Sequence, residues 1–257
     1  MSFDNYFVRI TCDILKTEFN EVLDLGISPE VYLDSCILNK LTAKGAKEVG
    51  SILKKFRSHT IHAPFLDIST GGSDEDIREL SFKKLSKVLE LGKEWGSELV
   101  VVHYNYDRLY YRQTLEGWLE RSVEFFMRFS SAVPGHPLIA IENIDDPDPE
   151  VALDLVRRSG NERIIHCFDY GHHKVFGKIS STEWLNRINS GKHIHFHFHD
   201  NKGAGDDHLP MGEGIIDWGK ARRDIIKLGT GFSVTLEPHS KADMIKSLKY
   251  YKENFLN

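Results

Sequence analysis

The chain lacks the features of membrane proteins and of disulfide-stabilised secreted proteins. No apolar run approaches the roughly 20 residues that a membrane-spanning helix needs. The opening MSFDNYFVRI has no basic segment followed by an apolar one. The three cysteines, Cys12, Cys36 and Cys167, are odd in number and widely spaced, so we expect reduced thiols. These absences favour a cytoplasmic protein with no membrane partner.

Two further absences concern ligands. No Gly-x-Gly-x-x-Gly motif follows the first apolar run, so nothing in the chain predicts a dinucleotide-binding fold. The net charge is -5, and no dense stripe of lysine and arginine is present. This weighs against a protein that tracks a nucleic-acid backbone. A metal cluster can nevertheless attract phosphate by its own charge.

What the chain does contain is an alternation of short apolar runs with longer helical patterns. Apolar residues recur at close to 3.6-residue spacing over Ser73–Trp95, Gln113–Ala132 and Ser240–Phe255. Ser240 and Asp243 resemble a helix N-cap and its first turn. The predicted strands are Phe7–Cys12, Glu30–Asp34, His59–Ala63, Glu98–His103, Leu138–Glu142, Arg163–Asp169, His193–His199 and Phe232–Glu237.

Eight strand and helix pairs in 257 residues indicate one α/β domain over residues 1–257. Such alternation implies a parallel sheet, and eight units favour a closed barrel over an open sheet. The length is also typical of such barrels, which run to about 250 residues. We therefore predict a single (β/α)8 TIM barrel.

Histidines and acidic residues recur at the predicted strand ends or in the loops that follow them. In a parallel barrel, the side chains at the carboxyl ends of the strands converge on one mouth. Imidazole and carboxylate are the ligands of first-row divalent metals. A metal site is therefore expected at the carboxyl ends of the strands. The candidate ligands are His62, His103, Glu142, Asp169, His172, His197, Asp206, His208 and Glu237.

Each of these residues has an ordinary structural explanation when taken alone. A histidine at a strand end is usually a hydrogen-bonded polar residue, and Asp206 and His208 fit a solvated acidic loop. Glu142 fits a structural glutamate bonded to loop amides. However, a carboxylate so close to an apolar core is costly unless a cation or hydrogen bonds compensate it. Repetition over six strands or their loops favours the metal site.

The predicted seventh strand is unusual because histidine alternates with apolar residues. The period of two places His193, His195, His197 and His199 on one face. We expect that face to point into the barrel, with His197 at the mouth and His195 one layer deeper as a structural residue. Cys167, two residues before Asp169, is a possible ligand, although a buried structural role is commoner.

At this point the chain resembles the xylose isomerase-like TIM-barrel superfamily, also called AP endonuclease family 2. The resemblance runs from about His59 to Glu237. It is specific for the superfamily and leaves the reaction open. The motifs are His-Ala-Pro-Phe at 62–65, Ile-Glu-Asn at 141–143, Phe-Asp-Tyr-Gly-His at 168–172, His-Asp-Asn-Lys at 199–202 and Asp-Asp-His-Leu-Pro-Met-Gly-Glu-Gly at 206–214.

One branch of the superfamily holds sugar isomerases and epimerases. The resemblance implies one divalent ion there (manganese, magnesium, cobalt or zinc) that polarises a sugar carbonyl. Glu142 and Glu237 would remove and return the neighbouring proton. The implied ligands are Glu142, Asp169, His197 and Glu237. The residues expected to bind substrate are Lys202, His172, Phe65 and Tyr104.

The other branch is endonuclease IV, a DNA-repair phosphodiesterase with three zinc ions. All nine candidate ligands would match its cluster, and Phe65 and Leu66 would lie beside a flipped nucleotide. The negative charge and the acidic loop Asp67–Asp76 weigh against DNA. We therefore expect a metal-dependent sugar isomerase or epimerase, with the nuclease as the alternative. A barrel that binds metal or sugar without turnover is the third possibility.

Overall fold

The strands of the barrel alternate with helices throughout the chain. A computed structural model describes residues 2–256. Its eight strands form a closed barrel in chain order, so each strand is hydrogen-bonded to its neighbours in sequence. The strands are β1 Tyr6–Thr11, β2 Ser28–Tyr32, β3 Thr60–His62, β4 Leu99–His103, β5 Leu138–Glu142, β6 Ile164–Asp169, β7 Ile194–Phe198 and β8 Phe232–Leu236.

Helices follow the strands, and side-chain caps fix where several of them begin. Asp74 accepts a hydrogen bond from the Ile77 amide, and Ser240 accepts one from the Asp243 amide. The helices are α1 Cys12–Thr17, α2 Phe19–Asp24, α3 Ser35–Lys40, α4 Ala43–Leu53, α5 Glu75–Trp95, α6 Arg108–Tyr111, α7 Leu115–Ala132, α8 Glu150–Ser159, α9 Tyr170–Phe176, α10 Ser181–Ile188, α11 Trp218–Lys227 and α12 Lys241–Phe255, with a 3-10 turn at Arg112–Thr114.

This architecture confirms the predicted single (β/α)8 TIM barrel. The predicted second strand was placed two residues too late. Asp34, the predicted last residue of that strand, instead caps α3 by accepting a hydrogen bond from the Ile37 amide. The strand itself begins at Ser28, before Pro29, and pairs with β3 in the register Glu30 to Thr60. Proline is tolerated near the start of a strand.

By its internal contacts the chain divides into two compact units. The first comprises Met1–Arg9, Glu142–Leu153 and Ile165–Asn257, and the second comprises Ile10–Ile141 and Asp154–Ile164. In the first unit, β7 pairs with β6 and β8 in parallel. In the second, β3 pairs with β2 and β4. Across residues 2–256 we find no helix with the length and apolar character that a bilayer crossing requires.

The apolar face of β7 shows how these strands are anchored. Phe198 packs on Trp218 of α11 and Phe255 of α12, with ring centroids 4.8 and 5.5 Å apart. Because side chains alternate along a strand, this contact turns the histidine face of β7 the other way. His195 on that face is bonded to Ser233 and Thr235 of β8, at 2.7 and 3.0 Å. This agrees with the expected structural role of His195.

Candidate metal centre

Four ligand-type side chains of the first unit meet at the ends of β5 to β8. Their donor atoms all lie within 4.8 Å of one another. All four residues are buried, between 0% and 3% exposed. We call this set the four-ligand group. Its members are Glu142, Asp169, His197 and Glu237.

His197 lies at the middle of the four-ligand group. Its Nδ1 atom is 3.1 Å from Oε1 of Glu142 and 3.4 Å from Oε1 of Glu237. Oδ2 of Asp169 lies 4.0 Å from the same nitrogen. Three carboxylates on three different strand ends therefore surround one imidazole nitrogen.

This charge distribution fits a bound cation. Buried carboxylates are costly unless they are paired or coordinate a metal. Oδ2 of Asp169 and Oε1 of Glu237 are buried and accept no hydrogen bond from the described residues. Arg9 supplies a positive charge 3.9 Å from Glu237, at the limit of an ion pair. The set therefore has both the donor types and the charge that a divalent ion requires.

The electrostatics of Glu237 point the same way. Burial by itself would raise the pKa of this carboxyl. The charges of His197 and Arg9 outweigh that effect and lower the pKa to about 2. Glu237 is therefore ionised at neutral pH, as a metal ligand must be.

Hydrogen bonds hold Asp169 in place. Asn143 exchanges two bonds with its backbone, accepting from the Asp169 amide at 2.9 Å and donating to its carbonyl at 3.2 Å. Oδ1 of Asp169 caps α9 by accepting from the His172 amide at 2.6 Å. Nε2 of His199 lies 3.1 Å from the same oxygen. The carboxylate is thus oriented before any ion binds.

A second set of ligand-type side chains lies in the same unit. Their donor atoms also lie within 4.8 Å of one another. Asp206 is the most exposed member, and the other three are buried. We call this set the histidine-rich group. Its members are His172, His199, Asp206 and His208.

Mutual contacts shift the ionisation of the histidine-rich group. Burial raises the pKa of Asp206, but hydrogen bonds from His172 and His208 outweigh it, and the net pKa is lowered. Burial lowers the pKa of His172, but the charges of Asp169 and Asp206 raise it well above its usual value. Burial also lowers the pKa of His208, but the hydrogen bond to Asp206 and the charge of Glu237 outweigh it, and the net pKa is raised. The neighbouring carboxylates thus favour the protonated form of both histidines.

The loop that carries Asp206 and His208 is fixed by Asp200. This buried carboxylate accepts hydrogen bonds from the amides of Gly212 and Ile216 at 3.0 and 3.1 Å. It also accepts from the indole of Trp218 at 2.9 Å. Gly214 passes so close that a Cβ atom there would overlap Asp200. A buried carboxylate therefore holds this loop in one conformation.

Two of the predicted ligands belong to the second unit. His62 ends β3 and His103 ends β4, with ring centroids 5.1 Å apart. Phe65 stacks on His103 at 4.6 Å and 15°. Tyr104 is only 2% exposed and packs against Trp118. In this unit the predicted ligands lie beside two of the predicted substrate-binding residues.

The predicted site residues differ in burial and in the groups to which they belong. Seven of the nine predicted ligands belong to the four-ligand or histidine-rich groups of the first unit. Lys202 is exposed, and its amide bonds to Asp207 in the loop. Cys167 is buried, with a donor atom within 4.8 Å of those of His195 and His197.

Three residues near these groups were not singled out from the sequence: Arg9, Asn143 and His199. For His199 the signal was present, because it continues the alternation that led to His197. Asn143 follows Glu142 directly in the Ile-Glu-Asn motif. Nothing in the sequence near Arg9 relates it to Glu237, which lies more than 200 residues further along the chain. Only the pairing of β1 with β8 brings them together.

The model of the xylose isomerase-like TIM barrel matches residues 27–254. The chain belongs to this family. A relative from Methanocaldococcus jannaschii, Uncharacterized protein MJ1311, is 27% identical over 201 residues, covering 75% of this chain and 68% of that protein.

Solved structures of low identity share the fold. A D-tagatose 3-epimerase-like protein has a TM-score of 0.83 and 22% identity, covering 97% of this chain and 96% of its own. Endonuclease IV from Thermus thermophilus has a TM-score of 0.69 and 18% identity, covering 97% of this chain and 98% of its own. The IOLI protein with a bound zinc atom has a TM-score of 0.76 and 16% identity, covering 98% of each chain.

Proposed function

We propose that this protein is a metal-dependent isomerase or epimerase of sugars or sugar derivatives. The observation that carries the proposal is the convergence of Glu142 and Glu237 on Nδ1 of His197, at 3.1 and 3.4 Å. Asp169 completes a buried set of three carboxylates and one imidazole. That set suits one divalent ion, and it also provides two carboxylates for proton transfer. The similarity of the fold to sugar epimerases is consistent with it.

The chemistry divides between the ion and the side chains. A divalent ion held by Glu142, Asp169, His197 and Glu237 would supply Lewis-acid polarisation of a substrate carbonyl. Asp169 and His197 would fix the site, since Asn143 and the start of α9 already orient Asp169. Glu142 and Glu237 come from different strands, so one would take the proton beside the carbonyl and the other would return it. Lys202, His172, Phe65 and Tyr104 remain the proposed substrate-binding residues.

The test is the exchange of a substrate proton with solvent. The protein is loaded with manganese, magnesium, cobalt or zinc and incubated in D2O with a panel of ketoses, aldoses and their phosphates. Proton NMR then follows the signal of the hydrogen next to the carbonyl. Exchange with epimer or isomer formation, lost in Glu142→Gln, supports the proposal. A complete panel with no exchange in any metal form would contradict it.

Phosphodiester hydrolysis is the second candidate function, and the histidine-rich group is the observation that favours it. His172, Asp206 and His208 would hold an ion beside the four-ligand group, as a multinuclear zinc nuclease requires. His62 and His103 remain the proposed further ligands of that cluster. Incubation of the zinc-loaded protein with a duplex containing one abasic site distinguishes the two functions. Strand cleavage at that site, without sugar proton exchange, would make the nuclease the function.

A further inference from the structure

Asn105 has an unusual backbone conformation for a residue other than glycine. It follows the end of β4 by two residues, and its φ angle of 54° lies in the left-handed region. Asparagine tolerates this region better than most residues do. Asp67, in the loop after β3, has a similar φ angle of 58°. Such conformations persist where the surrounding contacts require them, and they are frequent at functional sites.

The side chain of Asn105 connects the end of β4 to the loop after β3. Its Nδ2 atom donates hydrogen bonds to the carbonyl oxygens of Phe65 and Ile68, at 2.8 and 2.9 Å. A side-chain amide has two N–H donors, and both are used here. The two carbonyls flank a turn at Leu66 and Asp67. Asn105 therefore holds both ends of this turn.

The turn begins at Phe65, and the ring of Phe65 stacks on His103. The two ring centroids are 4.6 Å apart, and the ring planes differ by 15°. The same phenyl ring lies 5.8 Å from the ring of His62 and 6.0 Å from that of Tyr32. His103 ends β4, two residues before Asn105. One short segment after β4 thus contacts Phe65 twice, at its ring and at its carbonyl.

The remainder of the loop after β3 is held by other contacts. Thr70 donates a hydrogen bond to the Tyr104 carbonyl at 2.6 Å. Nε of Arg121, on α7, donates to the Gly72 carbonyl at 3.0 Å. Neither contact involves the side chain of Asn105. Its loss should therefore loosen residues 65–68 and leave the rest of the fold in place.

We propose that Asn105 is a positioning residue, which holds the ring of Phe65 on His103 and so fixes where Phe65 meets the substrate. Asparagine suits this role because it combines tolerance of the left-handed region with two donors. Glycine adopts the conformation but has no donor, and an ionised aspartate only accepts hydrogen bonds. The link to the substrate rests on the function proposed above, whereas the effect on the stack of Phe65 and His103 does not.

Proton NMR of protein with labelled histidine tests the stack directly. An aromatic ring shields protons that lie over its face, so the ring protons of His103 should resonate upfield. His103→Gln identifies these signals, and Phe65→Leu gives their position without the stack. In metal-free protein at one fixed pH, Asn105→Gly and Asn105→Asp should move them downfield towards the Phe65→Leu position. Either variant is sufficient if the other fails to fold, and wild-type positions in the folded variants would overturn the proposal.

Asn161→Gly is the matched control for a loss of side-chain hydrogen bonds. Asn161 is half-buried, as Asn105 is, and its side chain also makes two hydrogen bonds. It donates to Oγ of Ser130 and accepts from the Arg163 amide, both at 2.9 Å. However, it precedes β6 and lies outside the loops after β3 and β4. Its substitution should lower stability in urea and leave the His103 signals in place. The same result for Asn105→Gly would assign Asn105 a purely structural role and contradict the proposal.

Kinetics test the link between Asn105 and the substrate. The assay uses the sugar whose proton exchanges fastest in the panel described above. Asn105→Gly should raise the KM by about tenfold, which corresponds to about 1.4 kcal/mol of binding, and should change kcat little. Phe65→Leu should have a similar effect, because both variants remove the same contact. A displaced ring with a wild-type KM would overturn the link to the substrate. If no sugar exchanges, the proposed function fails, but the His103 signals still decide whether Asn105 positions Phe65.

Discussion

Gly171 lies against the imidazole of His199 so closely that a Cβ atom on Gly171 would overlap the ring. The contact joins the first turn of α9 to the end of β7, and both residues are buried. The ring also stacks on His208 at 3.7 Å and 7°, which restricts its movement. A glycine at position 171 is therefore part of how the histidine-rich group is built.

We expect Gly171→Ala to destabilise the fold by about 1–3 kcal/mol, the usual cost of overpacking. It should also weaken metal binding by the four-ligand group, because the ring of His199 must shift away from Oδ1 of Asp169, which lies 3.1 Å from its Nε2 atom. Urea unfolding and zinc titration measure the two effects. Gly117→Ala is the matched control. Gly117 lies in α7 and has only the Arg121 side chain near its added Cβ, at 3.4 Å, so alanine should be neutral or stabilising there.

Glu237→Gln should reduce substrate proton exchange by about 10²–10⁴-fold, because it removes a proposed acid or base. It should also weaken the ion of the four-ligand group, since an amide is a poorer ligand than a carboxylate. Exchange rates at saturating metal separate the two effects. Glu213→Gln serves as the control, because Glu213 makes a surface ion pair with Lys246. Full activity in Glu237→Gln would remove this residue from the proposed site.

The backbone and the four-ligand group follow from the sequence more closely than the histidine-rich group does. Short β-branched runs ending in Glu142, Asp169 or His197 predict both a strand and a ligand, because in a parallel barrel the strand end is the mouth. The alternation of histidine and apolar residues also predicts which face of β7 carries the histidines. These are properties of local sequence and of one known topology.

What the sequence did not predict depends on long-range contacts. Arg9 approaches Glu237 only because β1 pairs with β8. The sequence places Asp200 directly after the predicted seventh strand. In the structure, its carboxylate accepts hydrogen bonds from residues 12 to 18 positions further along the chain. His199 lies 3.7 Å from Asp206 only because of the conformation of the loop that carries Asp206. The spacing of apolar residues does not encode the conformation of loops, so it cannot predict such contacts.

Asp200→Ala should loosen the loop that carries Asp206 and His208. It removes the acceptor of three backbone amides and one indole, and each buried donor left without a partner costs about 1–3 kcal/mol. We expect faster tryptic cleavage at Lys202 and lower stability in urea. Asp145→Ala, at an exposed position, should change neither. Unaltered cleavage in Asp200→Ala would show that the loop is held by other contacts.

His103→Ala separates the one-ion enzyme from a trinuclear cluster. His103 is not a member of the four-ligand group. In a one-ion isomerase the substitution should therefore leave the first ion bound and its affinity nearly unchanged. In a trinuclear nuclease it should remove one zinc and most of the hydrolytic activity. Elemental analysis of wild type and His103→Ala, prepared in parallel, measures the difference.

Acid should destabilise the fold through two buried histidines that are not metal ligands. Burial lowers the pKa of both His59 and His166 to about 4. The unfolded chain takes up these protons near pH 6.5. Between pH 6.5 and about 4 the unfolded state therefore binds more protons, and stability falls as the pH falls. Each histidine contributes up to about 3 kcal/mol of this loss, at 1.36 kcal/mol per pKa unit.

His59→Gln should therefore flatten the pH dependence of stability. Nε2 of His59 accepts no hydrogen bond from the described residues, so glutamine removes the titration without removing a side-chain bond to that atom. Urea unfolding of chelator-treated protein at pH 7, 6 and 5 gives the slope without any metal release. The slope of the variant should be lower by up to one proton. Identical slopes for His59→Gln and wild type would show that burial does not suppress protonation of His59.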